Sequence, residues 1–223
     1  MKKILIIICV VLFVGALIIS PLFIKIHVDC RSQYGECPAE LMDKLSGVNG
    51  KSLFFAKNDL NKILRSDFIV SKFSLQFKLP NFLHVDLLIK KPVFAVKSGI
   101  SNQFALVDKD GQVLSIGSST ILPTVDITGD LPKIGEKVDA DTLFALKLMG
   151  GVSEMYQVNE GEIQSNSLLV ELPGQIRVIF PLEDADSDLL LGSLRLIYLT
   201  IQADGNKNLY KEVDMRYKNP VLR

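Results

Sequence analysis

Between Ile4 and Ile24 the chain reads ILIIICVVLFVGALIISPLFI, 21 residues without a charge, and this run constrains the rest of the fold more than any other feature. As a helix rising 1.5 Å per residue it is long enough for the roughly 30 Å of hydrocarbon in a bilayer. The spacing predicts a transmembrane helix over 4–24 behind a short tip, 1–3. A cleaved signal peptide is the rival reading, but its apolar region usually runs about 7 to 15 residues and ends in a small-x-small site. Here positions 18 to 21 read Ile-Ile-Ser-Pro. A lipoprotein reading through Cys9 fits less well still, because bulky Ile8 precedes it inside the apolar run.

Lys2 and Lys3 cluster with the amino terminus on one side, whereas Lys25 and Arg31 on the other are interspersed with Asp29 and Glu36. By the positive-inside rule the tip is cytoplasmic, and the remainder is an extracytoplasmic domain held to the cell membrane by a single span. The whole chain carries 25 basic and 25 acidic residues, so it lacks the basic footprint of a phosphate-backbone binder. The sequence therefore predicts no nucleic-acid partner.

Cys30 and Cys37 both fall beyond the span, and an oxidising exterior would let them close a tight loop as a disulfide. The alternative is a reduced pair. A metal site lacks ligands, since His27 and His84 stand 57 residues apart and no second cysteine pair exists.

Past the cysteines, Leu41, Met42, Leu45 and Val48 recur at helical spacing behind Pro38 and ahead of a stop near Gly47. Asn58 is positioned to cap a second helix with Leu60, Ile63 and Leu64 on one face. The period then switches to two. Phe73, Leu75, Phe77 and Leu79 alternate with polar residues, as do Leu83, Val85, Leu87 and Ile89, with a turn at 79–82 between the two strands. With a first strand over Phe23 to Val28, residues 25–91 read β-α-α-β-β.

Residues 92–223 read as a β-rich domain with flanking helices, and the whole as α+β. Asp110-Gly111 and Pro173-Gly174 are turn signals inside apolar runs. One helix carries Leu143, Phe144 and Leu146 and is expected to end at Gly150-Gly151; another runs from near Ser187 to Asp204-Gly205 with Leu190, Leu194, Ile197 and Ile201 as its stripe. Leu209 to Tyr217 reads as a final strand at a sheet edge.

Catalytic signatures are missing. Gly50-Lys51-Ser52 resembles the end of a phosphate-binding loop, but Leu45 stands where that loop needs glycine. Asp184, Asp186 and Asp188 have the opening spacing of a calcium loop, yet Leu189 and Arg195 replace its glycine and its glutamate, so they read as an acidic helix start. There is no G-x-S-x-G, and both histidines read as surface residues. The prediction is a non-enzyme with no catalytic residues, no cofactor and no metal.

Several stretches together resemble the FtsQ/DivIB family of bacterial cell-division proteins. Gly50-Lys51-Ser52-Leu53-Phe54 is similar to the G-x-x-L-F turn between the helices of that family's POTRA (polypeptide-transport-associated) module. Leu79-Pro80-Asn81-Phe82-Leu83-His84-Val85 with Lys90-Lys91-Pro92-Val93 is similar to its strand, proline turn, strand and basic-Pro-Val passage. Residues 105–111, ALVDKDG, match its L-V-D-x-x-G hairpin, and Val213-Asp214-Met215-Arg216-Tyr217 its terminal strand. The resemblance implies a divisome scaffold at the septum, in contact with membrane-anchored partners of the FtsB and FtsL type and, through them, with the septal peptidoglycan synthase complex. It implies a partner contact at Arg216, Tyr217, Lys218 and Asn219, where a strand at the sheet edge would accept a partner strand by β-addition. Competing expectations are a POTRA-bearing translocation component, an extracytoplasmic enzyme, and an anchored interaction domain of some other role.

Overall fold

A computed structural model describes residues 24–99, 101–182, 186–203 and 210–223. The expected membrane span lies outside them, apart from its last residue, Ile24. Among the described residues no helix is long and apolar enough to cross a membrane. The chain is mixed α+β and divides into two units, one ending at Lys90 and the other beginning at Lys91.

The first unit contains β1 (His27–Ser32), β2 (Gly35–Glu36), α1 (Ala39–Ser46), α2 (Leu53–Ser66), β3 (Val70–Lys78) and β4 (Phe82–Ile89). Its sheet runs β2-β1-β4-β3, with β1 parallel to β4 and the other pairs antiparallel. Leu41, Leu45, Leu60 and Leu64 from the helices meet Leu83, Val85 and Leu87 of β4 in one core. Each fully buried leucine contributes about 2 kcal/mol of transfer free energy. Cys30 and Cys37 are joined as a disulfide beside that core.

Three features differ from the sequence expectations. The first strand starts at His27 and reaches Ser32, beyond the expected end at Val28. The second helix begins at Leu53, not behind Asn58, because its origin is set by distant backbone: Leu53 N–H donates to Ile24 O at 3.1 Å, and Lys25 bridges to Ser52. His84 is buried although it occupies a polar position of an alternating strand. β4 is an interior strand, so Asp29 of β1 and Gln76 of β3 flank the imidazole across the sheet. Its Nδ1 lies 2.8 Å from Asp29 Oδ2 and its Nε2 lies 3.1 Å from Asp86 Oδ1.

The second unit contains β5 (Phe94–Ser98), β6 (Ser101–Val107), β7 (Val113–Gly117), β8 (Thr124–Ile127), α3 (Ala140–Tyr156), β9 (Glu160–Gln164), β10 (Ser167–Leu172), β11 (Ile176–Pro181), α4 (Ser187–Ala203), β12 (Glu212–Asp214) and β13 (Val221–Leu222). Its strands form one sheet in the order β13-β12-β11-β10-β9-β8-β5-β6-β7. Glycines at positive φ make two of the tight turns, Gly111 between β6 and β7 and Gly174 between β10 and β11. Val96, Val125, Leu146, Met149, Leu168, Val178 and Phe180 fill the core.

Asp139 caps α3, accepting from Thr142 N–H and from Thr142 Oγ1, each at 2.8 Å. The helix does not stop at Gly150-Gly151 as expected, but continues to Tyr156. These glycines mark close packing: an added Cβ would lie 2.9 Å from the Phe94 ring at Gly150 and 2.3 Å from Leu191 Cδ1 at Gly151. Helix α4 begins where its acidic residues suggested. Asp186 Oδ1 accepts from the N–H groups of Asp188 and Leu189 at 2.9 and 3.3 Å, as an N-cap does. Asp184 lies outside the described residues.

Candidate partner interface

The expected final strand, 209–217, is short over its described residues, 210–217; Leu209 lies outside them. Only Glu212–Asp214 is extended as β12, which lies parallel to β11 with Val213 opposite Val178. Nor is it the edge. The chain bends through 216–219 and returns as β13, whose Val221 and Leu222 pair antiparallel with Asp214 and Val213. An incoming strand therefore cannot add to β12, because both of its sides are occupied.

The reversal has a local electrostatic cause. Asp214 is 0% exposed, and its carboxylate turns toward the chain that follows. Arg216 grips it in two-pronged fashion, Nε to Oδ1 at 2.8 Å and Nη2 to Oδ2 at 2.7 Å, while Arg216 N–H donates to Oδ1 at 3.2 Å. These bonds hold the Asp214 carboxyl below its ordinary range against the opposing effect of burial, and they hold the Arg216 guanidinium firmly protonated. An arginine used in this way stabilises the bend, and two of its donors are already committed.

Of the four residues expected to contact a partner, Arg216 is thus tied into its own domain. Tyr217 is 53% exposed, and Lys218 and Asn219 are exposed beside it. All four lie on the bend between β12 and β13.

Sequence reasoning missed β13. Arg223 N–H donates to Glu212 O at 3.0 Å and Glu212 N–H donates to Arg223 O at 3.0 Å, so these two residues form a hydrogen-bonded pair. In an antiparallel ladder the next pair, Val213 with Leu222, is then non-hydrogen-bonded. The N–H and C=O of Leu222 consequently point away from β12, toward the side of β13 on which the described sheet has no further strand. The two residues of β13 are too few to show a period, so the only sequence signal was a proline ahead of β-branched Val221.

An open trough lies on the same sheet, lined by Lys97, Asp126, Glu162, Glu171 and Arg177 among others. It holds charges of both signs, with Lys97 paired across the sheet with Asp126.

No protein-family model matches the chain, and no curated protein matches it either.

Proposed function

We propose that this chain is a non-enzymatic scaffold of the bacterial division machinery, anchored by its apolar run and receiving a partner segment by β-strand addition at its C-terminal edge strand. The observation that carries the reading is the outward-facing backbone of Leu222 on β13, an edge with exposed Val221 and Leu222 side chains and with Tyr217 nearby in sequence. A strand edge of this kind supplies main-chain affinity, and alternate side chains supply selectivity. Motif resemblance to the FtsQ/DivIB family supplies the biological setting: extracytoplasmic, at the septum, with membrane-anchored partners of the FtsB and FtsL type.

The test is photocrosslinking in cells from positions 217 and 222, followed by identification of the captured chain. A membrane-anchored division protein caught from both positions supports the proposal. Capture from neither position, in a protein that still concentrates at mid-cell, refutes the docking mode; even distribution around the envelope refutes the divisome role.

A further inference from the structure

The folded β-α-α-β-β unit starts with no linker. Ile24, the last residue of the 21-residue apolar run, already accepts a hydrogen bond from Leu53 N–H at 3.1 Å and packs against the core of the unit. Two residues later Ile26 N–H donates to Lys51 O at 3.1 Å, and His27 N–H donates to Asn81 O at 2.9 Å. The point where the run ends is therefore clamped between the start of α2 and the turn from β3 to β4. These two segments therefore lie beside the residue at which the run ends.

Exposed apolar side chains gather at the same end. Phe54 is 64% exposed and stacks edge to face with exposed Phe55 on the first turn of α2. Leu79, at 84%, is exposed on the β3–β4 turn and Phe82 is exposed at the start of β4, its ring 6.1 Å from that of His27. Of the seven large apolar side chains exposed among the described residues of this unit, only Tyr34 and Leu88 lie away from these segments and the adjoining end of β3. Lys25, Lys57 and Lys78 are exposed around them, and the nearby carboxylate of Asp59 is paired with Lys51 at 2.6 Å.

An apolar and aromatic tip rimmed by lysines, positioned where a membrane-spanning run would emerge, has the composition of a surface that sits in the headgroup region. The geometry points to a second membrane contact: Phe54, Phe55, Leu79 and Phe82 insert into the outer interface of the bilayer that holds the anchor. This inference rests on the anchored reading above. Its consequence is that the first unit has a fixed tilt on the membrane instead of pivoting on a single chain. The occupant is lipid, because a surface held with no linker beside a membrane span meets lipid before it meets another protein.

The chain contains no tryptophan, so single substitutions make unambiguous fluorophores. Full-length protein carrying Phe55→Trp, Phe82→Trp, Phe13→Trp or Tyr34→Trp is reconstituted into phosphatidylcholine and phosphatidylglycerol vesicles, with or without lipid brominated high on the acyl chain. Tyr34→Trp reports on the distant β1–β2 turn, and Phe13→Trp reports on the apolar run. The expected result is blue-shifted emission quenched about twofold or more by brominated lipid at 13, 55 and 82, with a water-like, unquenched signal at 34. Quenching at 13 with water-like emission at 55 and 82 overturns the interface contact and leaves the anchor intact. Blue-shifted but unquenched emission at 55 and 82 assigns the patch to a protein neighbour and overturns the inference. Absence of quenching at 13 overturns the anchored reading itself.

Discussion

The buried carboxylate of Asp214 and the guanidinium of Arg216 meet in a two-pronged ion pair at 2.8 and 2.7 Å, and this contact converts an expected nine-residue strand into a three-residue strand followed by a bend. Because Asp214 has a folded-state carboxyl below its ordinary value of 3.8, its contribution to stability is present above that value and is lost as pH falls through the lower folded value. Wild-type protein should therefore lose stability with acidification below about pH 4, and Asp214→Asn should flatten that part of the curve while lowering stability at neutral pH by about 1–3 kcal/mol. Urea unfolding across the pH series is the measurement. An unchanged acid slope in the variant would sink the assignment.

Partner binding should separate Tyr217 from Leu222. Tyr217→Ala removes an exposed aromatic anchor and is expected to weaken binding by about 2 kcal/mol, close to thirtyfold. Leu222→Pro removes the outward N–H that the described sheet does not use and fixes φ at an edge position that tolerates proline, so it should abolish strand addition while leaving the unfolding midpoint almost unchanged. Titration of each variant with the crosslinked partner's ectodomain decides the matter. Wild-type affinity for Leu222→Pro would exclude addition at β13.

The Cys30–Cys37 disulfide spans seven positions and is expected to stabilise the first unit by about 2 kcal/mol through the entropy of the unfolded chain. Chemical denaturation with and without reductant should show that loss. Coincident curves would mean that the short loop is equally restrained without the bond.

Asp139→Ala removes both of the hydrogen bonds that Thr142 donates to the α3 cap and should cost about 1 kcal/mol. Burial raises the Asp139 carboxyl, but the Thr142 bonds together with the backbone N–H groups of Asp139 and Asp141 outweigh it and the net shift is downward, so this contribution also fades as pH drops through the acid range. Thermal unfolding of the variant at neutral and acid pH reads both effects. A cost that stays the same at both pH values would exclude the ionised cap.

At Gly161 of β9 an added Cβ would lie 2.7 Å from Met149 Sδ, 3.1 Å from Leu168 Cδ1 and 3.2 Å from the Leu169 carbonyl oxygen. Two buried side chains and a piece of backbone cannot all move aside. Gly161→Ala should therefore destabilise by about 1–3 kcal/mol, even though alanine suits a strand better than glycine. A gain in the melting temperature would show that the sheet relaxes at this point.

Much of the secondary structure was legible because its causes are local. Pro38 with Leu41 and Leu45 marks α1 from neighbours four residues apart, whereas Val48 lies in the turn beyond its end. Gly111 and Gly174 mark their hairpins because those turns need a positive φ that other side chains resist. The start of α2 was not legible: Ser52 and Leu53 are fixed by backbone bonds to Lys25 and Ile24, which no window around Asn58 contains. Gly150 and Gly151 were misread for the same reason, since they face the Phe94 ring and the Leu191 side chain across the fold.

The uncharged run, the α+β alternation and the hairpins follow from local rules, because hydrophobic period and backbone permissiveness act over a few residues. Long-range packing set which strand is the edge, enclosed His84 between carboxylates, and gave Arg216 to Asp214 while Tyr217 stays exposed. Edges, burial and ion pairing depend on which distant segments become neighbours, and that choice is made by the packing of the whole chain.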